Sequence, residues 1–125
     1  MGRTAGARMG TFNCMVRFDS LDGERSVEIE TLVDTGASYS IVPSAILRQL
    51  GVEPTDRHHV TLADGRQVTY DLGQAHATID GRTTPTWVFF GEDDGPPLLG
   101  AYTLEGLRLA VDPYRRKLVP SVATA

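Results

Sequence analysis

Three Asp-Gly pairs, Asp22-Gly23, Asp64-Gly65 and Asp80-Gly81, each stand between runs of alternating apolar and polar residues. Asp-Gly accommodates the positive φ angles of tight hairpins, so a chain punctuated in this way folds back on itself as antiparallel strands. Strands over 12–18 and 26–33 flank the first turn. In the second of them Val27, Ile29, Thr31 and Val33 share one face, while Glu28 and Glu30 point to solvent. Residues 59–79 read as a long hairpin about Asp64-Gly65. On its return strand Val68, Tyr70 and Leu72 share a face, then Ala75, Ala77 and Ile79 do; this parity switch near Gly73 predicts a bulge. Residues 84–90 are apolar enough for a central strand. Short strands at 40–42, 98–99, 107–111 and 117–122 complete an all-β, barrel-like array of about six to eight strands.

Helix is confined to one or two short pieces. Ser44 is placed to cap a helix over 45–50, with Ile46, Leu47 and Leu50 as its buried stripe and Gly51 as its left-handed terminator. A weaker helical turn covers 102–105. The alternative roles of the remaining conspicuous residues are bland: Trp87, Phe89 and Phe90 read as core, and Arg115-Arg116-Lys117 as a solvated turn.

A length of 125 residues implies one domain, and residues 11–122 carry all the strand signals. Residues 1–10, rich in Gly, Ala and Arg, read as a disordered leader or tag remnant. The net charge of −4 offers no basic footprint, so nucleic acid is not an expected partner. Apolar runs such as Trp87-Val88-Phe89-Phe90 are too short to span a membrane, and no apolar stretch near the N-terminus suggests a secretory signal. Cys14 is the single cysteine, which fits a reducing, cytoplasmic compartment. His58-His59 and His76 lack ligand spacing with any Cys or carboxylate cluster, so neither a metal nor another cofactor is expected.

The chemistry-bearing feature is Leu32-Val33-Asp34-Thr35-Gly36-Ala37-Ser38. It sets one carboxylate on a turn directly after an apolar strand, and Asp-Thr-Gly occurs once in the chain. Asp-x-Gly-x-Ser is also found in the phosphate-binding hairpin of actin-like and sugar kinases, a fold that needs a much longer chain. An aspartyl-nucleophile phosphatase would need a second Asp and a βαβ pattern, and neither is visible. Further on, Leu98-Leu99-Gly100-Ala101 leads into a helical turn much as Leu32-Val33-Asp34-Thr35-Gly36-Ala37 leads into a helix, a faint internal repeat.

With these motifs in this order, and the hairpin Ala63-Asp64-Gly65-Arg66 between them, residues 11–120 resemble the retropepsin-like single-domain aspartic proteases, which include the retroviral enzymes and small bacterial relatives. The resemblance implies an acid-protease half-barrel that works as a symmetric homodimer. It implies an aspartic endopeptidase acting on an extended polypeptide substrate, with Asp34 as acid/base and Thr35 and Gly36 as its supporting shell. Ala37 and the flap-like tip Ala63, Asp64, Gly65 and Arg66 would contact substrate, and Leu98, Leu99 and Gly100 would support the catalytic loop from below. Because such chemistry needs two carboxylates sharing a proton, a single Asp34 implies that two chains build one site. Ala37 offers no hydroxyl to the carboxylate, so activity is expected nearer to neutral pH than in pepsin-type enzymes. The terminal strands, 11–16 and 117–122, are candidates for the sheet between subunits. Tyr39, Ile41, Leu62, Val68 and Trp87 are subsite candidates for which core packing competes. The other functional reading is a non-catalytic peptide-binding or dimerisation module on the same fold.

Overall fold

The Asp80-Gly81 pair turns the chain in the tightest way available, with both residues at positive φ (50° and 79°) and Ile79 facing Arg82 across the hairpin. Asp22-Gly23 and Asp64-Gly65 sit in slightly longer turns, at Ser20–Arg25 and Leu62–Arg66, each closed by a backbone hydrogen bond between those end residues. The structure, a computed structural model, describes residues 11–122, and the leader expected over 1–10 lies outside them.

Among the described residues, nine strands and two helices follow in order: β1 (Asn13–Asp19), β2 (Ser26–Val33), β3 (Ser40–Pro43), α1 (Ser44–Gln49), β4 (Asp56–Thr61), β5 (Gln67–Ile79), β6 (Arg82–Gly91), β7 (Leu98–Leu99), α2 (Ala101–Leu107), β8 (Leu109–Asp112) and β9 (Lys117–Pro120). The main sheet has the order β1-β2-β7-β3-β6-β5-β4, and β1 also pairs with β5. That extra pairing closes the sheet into a barrel, because β5 is long enough to serve two partners along one edge. Its first half pairs with β4 (Asp56↔Leu72 to Thr61↔Gln67) and its second half with β1 (Arg17↔Thr78 to Asp19↔His76). The β4–β5 hairpin therefore projects beyond the barrel. β8 and β9 form a separate two-stranded ribbon, in which, among the described residues, β9 pairs with β8 along one edge only.

The expected bulge at Gly73 is absent. The β5–β6 register runs unbroken from Leu72↔Phe89 to Ile79↔Arg82. The parity switch has another cause: the two faces of β5 are covered at different ends, Leu72 toward the hairpin and Ala75, Ala77 and Ile79 in the core. Gly73 is needed for a close approach instead, since a Cβ there would lie 2.9 Å from the Glu53 carbonyl oxygen and 3.0 Å from Val52.

Ser44 does not cap α1. Pro43 occupies the cap position without a side-chain bond, and Ser44 is the first helical residue. The parallel pairing Pro43↔Gly91 brings the end of β6 alongside, so the Ser44 hydroxyl donates to the Gly91 carbonyl (2.9 Å). The Ala45 N–H donates to Asp93 Oδ1 (2.9 Å), a cap supplied from the following loop. Gly51 terminates the helix in the left-handed region as expected. The second helix is longer than the turn anticipated at 102–105, because Thr103, Leu104 and Leu107 all face the core.

Phe18, Val33, Leu47, Val88, Leu99 and Leu107 are fully buried at the centre of the barrel. Burial of each such side chain contributes about 1.5–3 kcal/mol. The alternation anticipated in β2 holds, with Thr31 and Val33 buried and Glu28 and Glu30 exposed. Phe90 is core as expected, whereas Trp87 is only half-buried.

Candidate active site

β2 delivers Asp34 to the surface. Leu32 and Val33 pair in parallel with Leu98 and Leu99 of β7, and the Asp34 N–H continues the ladder by donating to the Leu99 carbonyl (2.9 Å). The chain then turns. The Ala37 N–H donates to the Asp34 carbonyl (3.1 Å), and the Gly36 N–H donates to Asp34 Oδ1 (3.0 Å). A Cβ on Gly36 would stand 3.2 Å from that carboxylate oxygen. The loop thus orients its own carboxylate through a backbone amide.

From below, α2 holds the loop. The N–H groups of Ala101 and Tyr102 donate to the carbonyls of Ala37 and Ser38 (2.8 and 2.9 Å). These are among the first amides of a helix, which have no partner within it. Gly100 makes the approach close enough: a Cβ there would fall 2.6 Å from the Tyr39 carbonyl carbon and oxygen. The Gly100 N–H donates to Ser40 Oγ (3.0 Å), itself hydrogen-bonded to Thr103 Oγ1.

Above the loop stands the β4–β5 hairpin. Asp64 closes its tip by accepting from the Arg66 N–H and from Arg66 Nε, both at 3.0 Å. The Arg66 amide first, and the guanidinium second, hold the Asp64 carboxyl below the usual aspartate value. Between loop, hairpin and β6 lies a groove of about 540 Å³.

The structure brings Asp34, Gly36, Ala37, Ala63 and Leu98 together on this groove. Leu99 is fully buried beneath, and Gly100 packs against the loop. Asp64, Gly65 and Arg66 are at the hairpin tip and do not line the groove. Thr35 is exposed beside Asp34, also outside the groove wall. Of the subsite candidates, Tyr39, Ile41 and Leu62 line the groove, whereas Val68 and Trp87 do not. Phe89, expected in the core, lines it too and meets the Tyr39 ring edge-on at 5.5 Å. His58 and His59 of β4 also reach it. His58 pairs with Asp56 (3.3 Å) and His59 with Thr69 (3.2 Å). Strand alternation around Val60 could have flagged His58 as inward-facing, but nothing in the sequence said which face of the hairpin was inward.

One chemical fact decides what the groove can do. Among the described residues, Asp34 is the only carboxylate that lines it. No group of three or more His, Cys, Asp or Glu side chains could hold a metal ion among the described residues. Burial pushes the Cys14 thiol up from its ordinary value, with Asp80 adding to the effect, so it is a poor nucleophile.

A family model described as "gag-polyprotein putative aspartyl protease" matches residues 22–105, which include the Asp34 loop, the hairpin and Leu98-Leu99-Gly100. The chain belongs to this aspartyl protease family. The chain is also similar to solved structures. The EIAV protease, solved with the inhibitor HBY-793, superposes with a TM-score of 0.56 at 21% identity, covering 77% of this chain and 86% of that one. The simian foamy virus (mac) protease gives 0.50 at 16% identity, covering 74% and 92%. A retropepsin-like aspartic protease from Rickettsia conorii gives 0.49 at 20% identity, covering 82% and 87%. No curated protein matches the chain by sequence. No helix among the described residues is long and apolar enough to cross a membrane.

Proposed function

We propose that this aspartyl protease is an endopeptidase whose active unit is a symmetric homodimer, with one Asp34 from each chain forming the catalytic dyad. The observation that carries this reading is the groove with a single carboxylate: one chain supplies half of the acid/base pair that the chemistry requires. Two carboxylates a few ångström apart share a proton. One takes a proton from a bound water, and the other donates a hydrogen bond to the scissile carbonyl, so no covalent intermediate forms. The reaction so read uses neither metal nor organic cofactor.

The supporting residues have separate tasks. Gly36 directs its amide at Asp34 Oδ1. Thr35, exposed and without a hydrogen-bond partner for its hydroxyl among the described residues, is free to bond across the two-fold axis. Leu98, Leu99 and Gly100 fix the loop from beneath. Ala37 and Ala63 contact an extended polypeptide lying in the groove, and Asp64, Gly65 and Arg66 shape the flap tip above it. Among the described residues β9 pairs only with β8, and its other edge supports a sheet between subunits there. β1 is the weaker candidate, because β2 takes one edge and β5 takes Arg17–Asp19 of the other. A lone, inert thiol suits a cytoplasmic setting.

The test is Asp34→Asn. Cleavage of an unbiased peptide library, read by mass spectrometry, should fall about 10²- to 10⁴-fold while the dimer persists. Retained wild-type cleavage would refute the assignment.

A further inference from the structure

The flap is a two-stranded hairpin that extends beyond the barrel, since among the described residues β4 pairs only with β5 and the β6 ladder begins at Leu72. Two strands alone are marginal in water, so side-chain contacts must decide where this one rests. Two rings do part of this: Tyr70 and His58 stand 6.1 and 6.2 Å from Phe89. Glu92 adds two polar contacts. Its Oε2 accepts from the Tyr70 hydroxyl at 2.9 Å and lies 3.7 Å from Arg66 Nη2. Arg66 in turn bonds Asp64 at the tip, so one carboxylate reaches both the stem and the turn of the flap.

The platform from which Glu92 reaches is rigid. The Ser44 hydroxyl holds the Gly91 carbonyl, the Ala45 N–H holds Asp93, and the Gly95 N–H closes on the Glu92 carbonyl (3.0 Å). Gly91 is packed so closely that a Cβ would meet Ile41 at 2.5 Å. Substrate-binding segments of this kind work by closing over the ligand, and their resting position enters the apparent affinity.

We propose that Glu92 is a positioning residue for the flap, gripping Tyr70 and Arg66 so that the hairpin rests over the Asp34 groove. This rests on the endopeptidase reading only in so far as the groove takes a peptide. Glu92 touches no reacting atom; it acts through the flap, so its removal raises KM and leaves the chemical step alone. The contacts are half-exposed, which keeps the effect modest.

The experiment compares Glu92→Ala, Glu92→Gln and Glu92→Ala/Tyr70→Phe, by steady-state kinetics and by hydrogen exchange of the amides over 62–68. Glu92→Ala should raise KM by about threefold to tenfold, with kcat within about twofold of wild type. Exchange should quicken over 62–68 and stay unchanged over 75–79 in the barrel. Glu92→Gln keeps an oxygen for Tyr70 and should restore most of the loss; the double variant should be no worse than Glu92→Ala. Unchanged KM and exchange, or a fall in kcat at constant KM, would overturn the proposal. If the wild-type protein cleaves nothing, the endopeptidase reading fails, and the exchange arm alone still decides the role of Glu92.

Discussion

The hydroxyls of Ser40 and Thr103 lie 2.7 Å apart with both side chains fully buried, joining the strand that follows the Asp34 loop to the helix beneath it. Thr86 Oγ1 adds a third member at 2.8 Å from Thr103, and the Gly100 N–H donates to Ser40. Every member is satisfied, which is the condition under which a buried polar chain rigidifies a site. The Asp34 loop is therefore held by directional bonds as well as by apolar packing.

Thr103→Val keeps the volume and removes the shared partner of two buried hydroxyls. It should lower stability by about 1–3 kcal/mol, read as a reduced urea midpoint at unchanged slope. Stability equal to wild type would mean that the chain of hydroxyls contributes nothing.

Gly100→Ala should be worse than Gly23→Ala, although Gly23 has the positive φ (76°). An added Cβ at Gly100 runs into Tyr39 backbone at 2.6 Å, whereas at Gly23 it meets nothing within 4 Å. The turn substitution costs about 1 kcal/mol of backbone strain, and the site substitution about 3 kcal/mol or more, since backbone cannot swing aside. Thermal unfolding of the two variants gives the order; a reversed order contradicts the packing described.

The barrel was legible because its signals are local. Asp-Gly turns and period-2 alternation placed most of the strands, and Leu32-Val33-Asp34-Thr35-Gly36 with Leu98-Leu99-Gly100 located the loop and its support. What escaped depends on tertiary neighbours. Ser44 carries a capping side chain, yet the parallel β3–β6 pairing offers it the Gly91 carbonyl instead. The parity switch at Gly73 resembles a bulge in sequence, but it records a strand whose covered face changes along its length. Phe89 is buried, as its reading as core implies, and what escaped is that the position of the β4–β5 hairpin makes it groove wall as well. The Ser40–Thr103–Thr86 chain joins residues up to 63 positions apart and has no sequence pattern.

The turn at the tip of the β4–β5 hairpin should depend on pH. Its Asp64 carboxyl is held below the ordinary value by the Arg66 amide and guanidinium. A depressed folded-state value means that the contribution to stability is present above the unfolded value of about 3.9 and is lost as pH falls through the folded value. A nuclear magnetic resonance titration should give Asp64 a midpoint below about 3.9, with the Arg66 amide shift following it. A midpoint at or above that value would contradict the closed turn.

If two chains build one site, specific activity must fall on dilution through the dimer dissociation constant. Substitutions that burden the edge of β9 left open among the described residues, such as Leu118→Asp, should shift that fall to higher concentration. Sedimentation and activity measured on the same samples check whether the two losses coincide.

The most direct measurement mixes wild-type protein with Asp34→Asn, at concentrations well above the dissociation constant, and follows cleavage per wild-type chain. If the dyad is shared, mixed dimers are inactive, and an equal amount of Asp34→Asn lowers that activity to about half, a ninefold excess to about one-tenth. Activity per wild-type chain that stays constant at every ratio would contradict the shared site.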